Sequence, residues 1–176
     1  MKYKEQKMLQ AIRNGNLLAV MRLVAMGAKI DVKHPEANNK SYLHFAAHWD
    51  RPLICKYLIK KGIDVDVRDD DGWTPLHNAV KGNSLKAINA LISCNATVDA
   101  ENNRGETPLY YAAAACSDIK LVDALVKGGA DMHKETEKTM SPFDMSGGPV
   151  RRYFYNYMQK QNSRENNPKS DSEKGK

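Results

Sequence analysis

The sequence lacks a long apolar run. No stretch of about 18 apolar residues occurs in the 176-residue chain, so the sequence predicts no membrane-spanning helix. The first seven residues are charged but no apolar segment follows them, and we expect no ordinary secretory signal. With 41% hydrophobic and 27% charged side chains, the chain can instead bury one continuous core in water.

Cysteine is scarce, with three residues at Cys55, Cys94 and Cys116. An odd number of widely spaced cysteines without a Cys-x-x-Cys pair argues against a disulfide framework or a zinc ribbon. We interpret them as small, mostly buried thiols in a reducing compartment. The expected location is therefore the cytoplasm.

The short motifs of catalysis are also missing. The chain has no Gly-x-Ser-x-Gly, Walker loop, His-Glu-x-x-His or dinucleotide fingerprint. His44 and His48 have the spacing of two metal ligands on one helical face, but no carboxylate or cysteine is placed to complete a zinc site. The sequence predicts no catalytic residue, no metal and no other cofactor.

The formal charge of +6 is unevenly distributed. Residues 151–176 contain seven bases and three acids, a net of +4, which leaves only +2 for residues 1–150. Because no helix carries a basic stripe and no recognition motif is present, we do not expect nucleic acid as a partner.

What the sequence does contain is a repeat with a period of 33 residues. The segment 41–44 returns at 74–77 and at 107–110, as Ser-Tyr-Leu-His, Thr-Pro-Leu-His and Thr-Pro-Leu-Tyr. A small residue follows the second apolar run of each unit, at Gly62, Asn95 and Gly129. The last step is 34 residues, which places one inserted residue in the loop from Cys116 to Asp118.

The repeated unit has the features of a helix pair. Threonine followed by proline starts a helix well, because the hydroxyl caps free amides and proline has no amide to leave unpaired. Apolar residues then recur at helical spacing, and the small residue after them tolerates a left-handed backbone. One helix pair cannot bury its apolar stripe alone, so the sequence predicts that neighbouring pairs stack.

These motifs resemble the ankyrin-repeat family, over roughly residues 4–158. The resemblance implies an all-α solenoid of helix-turn-helix units with β-turn fingers. It implies units at about 4–35, 36–69, 70–102 and 103–135 and a truncated cap at 136–159, which together make one domain over 1–159. Residues 160–176 are predicted to be a disordered polar tail, either a solubilising end or a sorting or export address.

The resemblance also implies roles for particular residues. The histidine of the repeated segment, His44 or His77, is expected to hydrogen-bond within its turn and to the next unit, whereas Tyr110 replaces it in the fourth unit. Recognition is expected on the concave face, from the finger tips and the exposed side of each first helix. The predicted protein-binding residues are Lys40, His48, Trp49, Asp70, Asp71, Trp73, Lys81, Arg104 and Glu106.

Several of these positions have a structural interpretation as well. Trp49 is either a partner contact or a cover over the loop at Pro52, and Trp73 either contacts a partner or packs along its finger. The aspartates from Asp64 to Asp71 are either turn chemistry or an acidic tip that attracts a basic partner.

The sequence therefore predicts a small cytoplasmic adaptor or inhibitor. We expect a monomer that binds one protein, carrying a basic patch, through the groove of the second to fourth units. One alternative is a secreted pathogen effector that acts in the host cytosol or nucleus through the same groove. Another is a metal- or thiol-dependent enzyme that uses His44, His48 and a cysteine.

Overall fold

The computed structural model describes residues 2–115, 118–136 and 140–165 as a series of antiparallel helix pairs. The helices of these residues are α1 (Lys2–Arg13), α2 (Leu17–Ala25), α3 (Tyr42–His48), α4 (Pro52–Lys60), α5 (Pro75–Lys81), α6 (Leu85–Ile92), α7 (Pro108–Ala114), α8 (Ile119–Lys127), α9 (Pro142–Met145) and α10 (Gly148–Glu165). Two short strands, β1 (Lys33–His34) and β2 (Lys40–Ser41), pair antiparallel in the finger of the second repeat.

The pairs stack in two layers. In one layer α1 packs on α3, α3 on α5, α5 on α7 and α7 on α9, and in the other α2, α4, α6 and α8 follow one another in the same way. Each repeat thus contacts only its neighbours, which is the arrangement of a solenoid. The predicted all-α repeat architecture is confirmed.

The first helices begin where the sequence predicted. Thr74, Thr107 and Ser141 are the N-cap residues of α5, α7 and α9, and a proline follows each of them at the first helical position. The Thr107 side chain accepts a hydrogen bond from the backbone amide of Tyr110 at 3.1 Å. The hydroxyl and the proline together satisfy or remove amides that would otherwise be unpaired at the start of each helix.

The second helices end in left-handed residues, also as predicted. Gly62, Asn95 and Gly129 have φ angles of 101°, 63° and 99°. Asn95 takes this conformation in place of glycine because its short polar side chain tolerates it better than most side chains do.

One core runs through the whole stack. The leucine of each repeated segment, Leu43, Leu76 and Leu109, is completely buried, and Phe154 of α10 closes the far end of the same cluster. No helix within the described residues combines the length and apolarity that crossing a membrane needs.

The last helix is longer than predicted. α10 continues through Glu165, so residues 160–165, which the sequence analysis assigned to a disordered tail, are helical. The polar side chains of residues 160–165 led to the prediction of a solvent-exposed coil. Once a helix has formed, however, it can continue through solvent-exposed residues that have no apolar stripe. The rest of the predicted tail and the predicted insertion at Cys116 lie outside the described residues.

Candidate protein-binding groove

Two buried histidines tie the first helices together. The Ser41 amide donates to His44 Nδ1 at 3.1 Å, and the opposite nitrogen, Nε2, lies 2.9 Å from the Trp73 carbonyl oxygen of the next repeat. Since Nδ1 accepts a hydrogen bond, Nε2 carries the proton and donates it to that carbonyl. His77 makes the same two kinds of contact, with Thr74 and with the Glu106 carbonyl. The expected bridging role of both histidines is observed.

Burial keeps these two imidazoles neutral. It lowers the pKa of His77 to about 4 and the pKa of His44 below its usual value. The hydrogen bonds to the carbonyl oxygens of the next repeat oppose this shift but do not cancel it. The bridges therefore consist of neutral rings at pH 7.

Two of the residues named for the enzyme alternative, His44 and Cys55, are held by the fold in forms that do not suit catalysis. Both ring nitrogens of His44 are used in hydrogen bonds, so neither is free to bind a metal without breaking the bridge to the next repeat. Burial raises the pKa of the Cys55 thiol to about 12, and an un-ionised thiol is a poor nucleophile.

The floor of the groove changes abruptly from large to small side chains. The residues directly after α3, α5 and α7, which cap these helices, are Trp49, Gly82 and Ala115. Trp49 is half-buried and stacks on Phe45 with a centroid distance of 5.5 Å and an interplanar angle of 27°. At the position where the second repeat has the aromatic ring of Trp49, the third and fourth repeats have only glycine and alanine.

The packing of the third repeat against the second requires glycine at position 82. A Cβ atom at this position would lie 2.1 Å from the His48 carbonyl oxygen, which also accepts a hydrogen bond from the Ser84 hydroxyl at 2.8 Å. The end of α5 thus sits directly against the end of α3, and glycine is the residue that permits this approach.

We expect Gly82→Ala to lower the free energy of unfolding by about 2 kcal/mol, because the added methyl group forces two repeats apart. Urea unfolding followed by circular dichroism measures the change. Gly148→Ala is the matched control, since a Cβ atom there meets nothing within 4 Å. Equal stability of the wild type and Gly82→Ala would contradict this account of the repeat interface.

Trp73 offers a partner little surface. Its side chain is only 8% exposed, and its ring contacts the rings of His77 and Tyr111 at centroid distances of 5.5 and 5.0 Å. The Lys81 ammonium lies over the Trp73 ring, 5.3 Å from its centroid. Trp73 packs along its finger, which was the structural interpretation of this residue, and exposed Lys81 covers it.

The acidic finger of the third repeat is built by turn chemistry. Asp69 is buried and accepts hydrogen bonds from the amides of Asp71 and Trp73, at 3.1 and 2.8 Å, while Lys40 lies 3.5 Å from its other oxygen. This carboxylate shapes the turn, and its charge is matched by Lys40. Asp69 therefore stabilises the turn of the finger and is not part of the exposed surface.

Asp70 and Asp71 remain exposed at the tip of the same finger. They accept hydrogen bonds from Asn39 and Asn38 of the preceding finger, at 2.9 and 2.7 Å. No lysine or arginine of the described residues forms an ion pair with either carboxylate. The tip therefore carries two negative charges that form no ion pair with a described lysine or arginine.

The finger of the fourth repeat has a different charge pattern. Arg104 is exposed and lies 3.1 Å from Glu106, which also accepts a hydrogen bond from Asn102 at 2.8 Å. The Asn103 side chain donates to the Asp70 carbonyl oxygen at 2.8 Å and links this finger to the previous one. Arg104 is therefore the exposed base nearest in register to the acidic tip.

Sequence reasoning did not identify the aromatic residues Phe45 and Tyr111 as part of this surface. Both lie directly after the repeated four-residue segment, at the same register, and Asn78 occupies that place in the third repeat. Comparing the repeats position by position would have found them. They support Trp49 and Trp73 and so determine how much of each indole faces the groove.

The fold and this concave surface define a repeat solenoid of the kind that serves as a protein-interaction module. A family model described as "Ankyrin repeats (3 copies)" matches residues 4–69 and 54–136. The chain belongs to the ankyrin-repeat family.

The chain is also similar to parts of several characterised proteins. It is 37% identical over 101 residues to protein phosphatase 1 regulatory subunit 27 of Mus musculus, covering 57% of this chain and 64% of that protein. It is 33% identical over 116 residues to ankyrin repeat and SOCS box protein 3 of Homo sapiens, covering 64% of this chain and 22% of that protein. The chain thus spans less than two thirds of the length of these relatives.

Proposed function

We propose that this protein is a monomeric, non-enzymatic adaptor or inhibitor that binds one partner protein through the concave groove of its second to fourth repeats. The observation that carries the proposal is the series of residues that follow the first helices along the groove floor, where half-buried Trp49 is succeeded by Gly82 and Ala115. A large aromatic side chain beside a shallow floor is the kind of anchor that dominates protein interfaces.

The charges on the fingers favour a partner with a basic patch. Asp70 and Asp71 are exposed without an ion pair among the described residues, so their field extends into the solvent. Complementary charge on a partner would speed the encounter and orient the complex, more than it would add to the final affinity. Arg104, at the register of Asp71 in the next finger, and Lys81, over the Trp73 ring, are exposed bases that would restrict how the basic patch can align.

Two of the relatives support a regulatory role. Two of the similar proteins are named as regulatory subunits of protein phosphatase 1, subunit 27 and subunit 12A of Mus musculus, and the second is 30% identical over 112 residues. Regulation by binding to another protein would suit a groove of this type. We propose a cytoplasmic location, in agreement with the small and odd number of widely spaced cysteines.

The experiment that tests this proposal is affinity capture with matched variants. The wild-type protein, Trp49→Ala and Asp71→Lys are immobilised, and retained proteins are identified by mass spectrometry and then purified. We expect the purified partner to bind Trp49→Ala more weakly by about 2 kcal/mol, or roughly thirtyfold, as for an interface hot spot. Asp71→Lys should mainly slow association.

Lys120→Ala is the control, because this exposed residue lies on α8, in the opposite layer of the stack. Circular dichroism would verify that all variants remain folded. If every partner binds the wild type, Trp49→Ala and Asp71→Lys with equal affinity, the groove is not the interface and the proposal fails. Trp73→Ala is not suitable here, because that side chain is buried.

A further inference from the structure

The outer face of α2 differs from the outer faces of the other second helices. A residue with a left-handed backbone follows each second helix, at Gly27, Gly62, Asn95 and Gly129. Counting back from that residue, the positions nine, six and two residues earlier lie on one face of the helix. In α4, α6 and α8 these positions are mostly charged or polar, as Leu53, Lys56 and Lys60, then Lys86, Asn89 and Ser93, then Lys120, Asp123 and Lys127. In α2 they are Leu18, Met21 and Ala25.

This apolar stripe is exposed. Leu18 and Met21 are 57% and 43% exposed, and Leu53, which occupies the register of Leu18 on the adjacent α4, is 66% exposed. The corresponding positions of α4 and α6 are exposed to solvent even though a repeat packs on either side of each of these helices. Burial against a neighbouring repeat therefore does not explain the apolar residues at these positions of α2. A contiguous exposed apolar strip on a water-facing helix indicates an interaction site.

The charges beside the stripe all have one sign. Arg22 flanks it on α2, and Lys56 and Lys60 flank it on α4. Neither helix contains an aspartate or a glutamate. These three bases are exposed and form no ion pair with any described residue, so their charge is available to a ligand.

The same charges argue against a second copy of this chain as the occupant. A symmetric contact would place each copy's patch against its own equivalent, and the patch has no acid to meet Arg22, Lys56 and Lys60. Residues 1–33, which include α1 and α2, contain seven bases and two acids. Self-association through this face would therefore bring like charges together.

We propose that α2 and α4 form a second docking surface, which binds an acidic amphipathic helix of a partner protein. The spacing of Leu18, Met21 and Ala25 is i, i+3 and i+7, the spacing with which one helix packs along another. Leu18, Met21 and Leu53 contact the apolar face of the bound helix, while Arg22, Lys56 and Lys60 pair with its carboxylates. Small Ala25 lets the two helices approach closely.

The exposed stripe is one helix wide, which matches a helix better than the flat surface of a membrane.

A synthetic helical peptide of about 18 residues, with leucines at i, i+3, i+4 and i+7 and glutamates on both flanks, is the probe. Fluorescence anisotropy measures its binding to the full-length protein. We expect the peptide to bind, and its analogue with lysine in place of every glutamate not to bind. Salt at about 0.5 M should weaken binding, because the ion pairs are exposed.

The double substitution Leu18→Lys/Met21→Lys is the decisive variant, because the fold already tolerates lysine at both registers: α6 and α8 carry it at the register of Leu18, and α4 carries it at the register of Met21. It should weaken peptide binding about tenfold or more. Lys120→Glu on α8 and Trp49→Ala in the concave groove should leave binding unchanged, which separates this surface from the groove.

Three results would overturn the proposal. The first is that the glutamate peptide fails to bind the wild-type protein. The second is that Leu18→Lys/Met21→Lys binds it with unchanged affinity. The third is that vesicles of phosphatidylserine and phosphatidylcholine bind the wild type but not this variant while the peptide does not bind, which would assign the patch to an anionic membrane surface instead.

Discussion

Lowering the pH from 7 to 4 is expected to reduce the free energy of unfolding by about 3 kcal/mol through His77 alone. The folded protein holds the pKa of this imidazole at about 4, against 6.5 for the unfolded chain. The unfolded chain therefore binds a proton more readily, and stability that is present above pH 6.5 is lost as the pH falls towards 4. The lowered pKa of His44 adds an effect of the same sign.

Urea unfolding at pH 7, 6, 5 and 4 would measure this loss. His77→Gln should be less stable at pH 7, because the bridge between Thr74 and the Glu106 carbonyl is disturbed, but should show a shallower pH dependence. His133→Gln is the control, since His133 is exposed and outside the bridges. An identical pH dependence in the wild type and His77→Gln would show that His77 is not the titrating group.

Phe154→Ala is expected to lower the free energy of unfolding by about 3–5 kcal/mol. The Phe154 side chain is completely buried, packs with Phe143 of α9 at a centroid distance of 6.1 Å, and belongs to the core cluster that runs through all the repeats. Because each repeat of a solenoid is stabilised only by its neighbours, the loss should be concentrated in α9 and α10.

Hydrogen exchange would show where the loss occurs. Amides of α9 and α10 should exchange much faster in Phe154→Ala, while those of α5 and α6 should change little. Tyr155→Ala is the matched control, because the neighbouring side chain is 52% exposed and should contribute about 1 kcal/mol or less. Faster exchange spread evenly over all repeats would mean that the stack unfolds as one cooperative unit.

Most of the fold could be predicted from the sequence because the residues that start and end helices recur at the same positions in several repeats. Thr74 and Thr107 start helices through contacts within a few residues, and Gly62, Asn95 and Gly129 end helices through their own backbone preferences. The roles of His44 and His77 followed from the family resemblance. The end of α10 was not predictable, since the polar residues after residue 159 are compatible with both an exposed helix and a coil.

The candidate groove was less predictable, because a position in the register does not specify the burial of a side chain. Trp49 and Trp73 both lie on the predicted concave face, yet Trp73 is buried against Tyr111 of the next repeat, whereas Trp49 is only half-buried and the residue at its register in the next repeat is Gly82, which has no side chain. Likewise the five aspartates of one finger look equivalent in sequence, but Asp69 is buried inside the turn while Asp70 and Asp71 are exposed at its tip.

The sequence by itself determined the period of the repeat, the starts and ends of the helices inside the repeats, and the stacked architecture, because these depend on interactions between residues close together in the chain and on a recurring apolar pattern. The tertiary structure decided which charges are paired, which indole is covered and which outer helix presents an apolar stripe. Those properties depend on contacts between residues about one repeat apart, such as Gly82 with His48 and Asp71 with Asn38, and they exist only once the repeats have packed together.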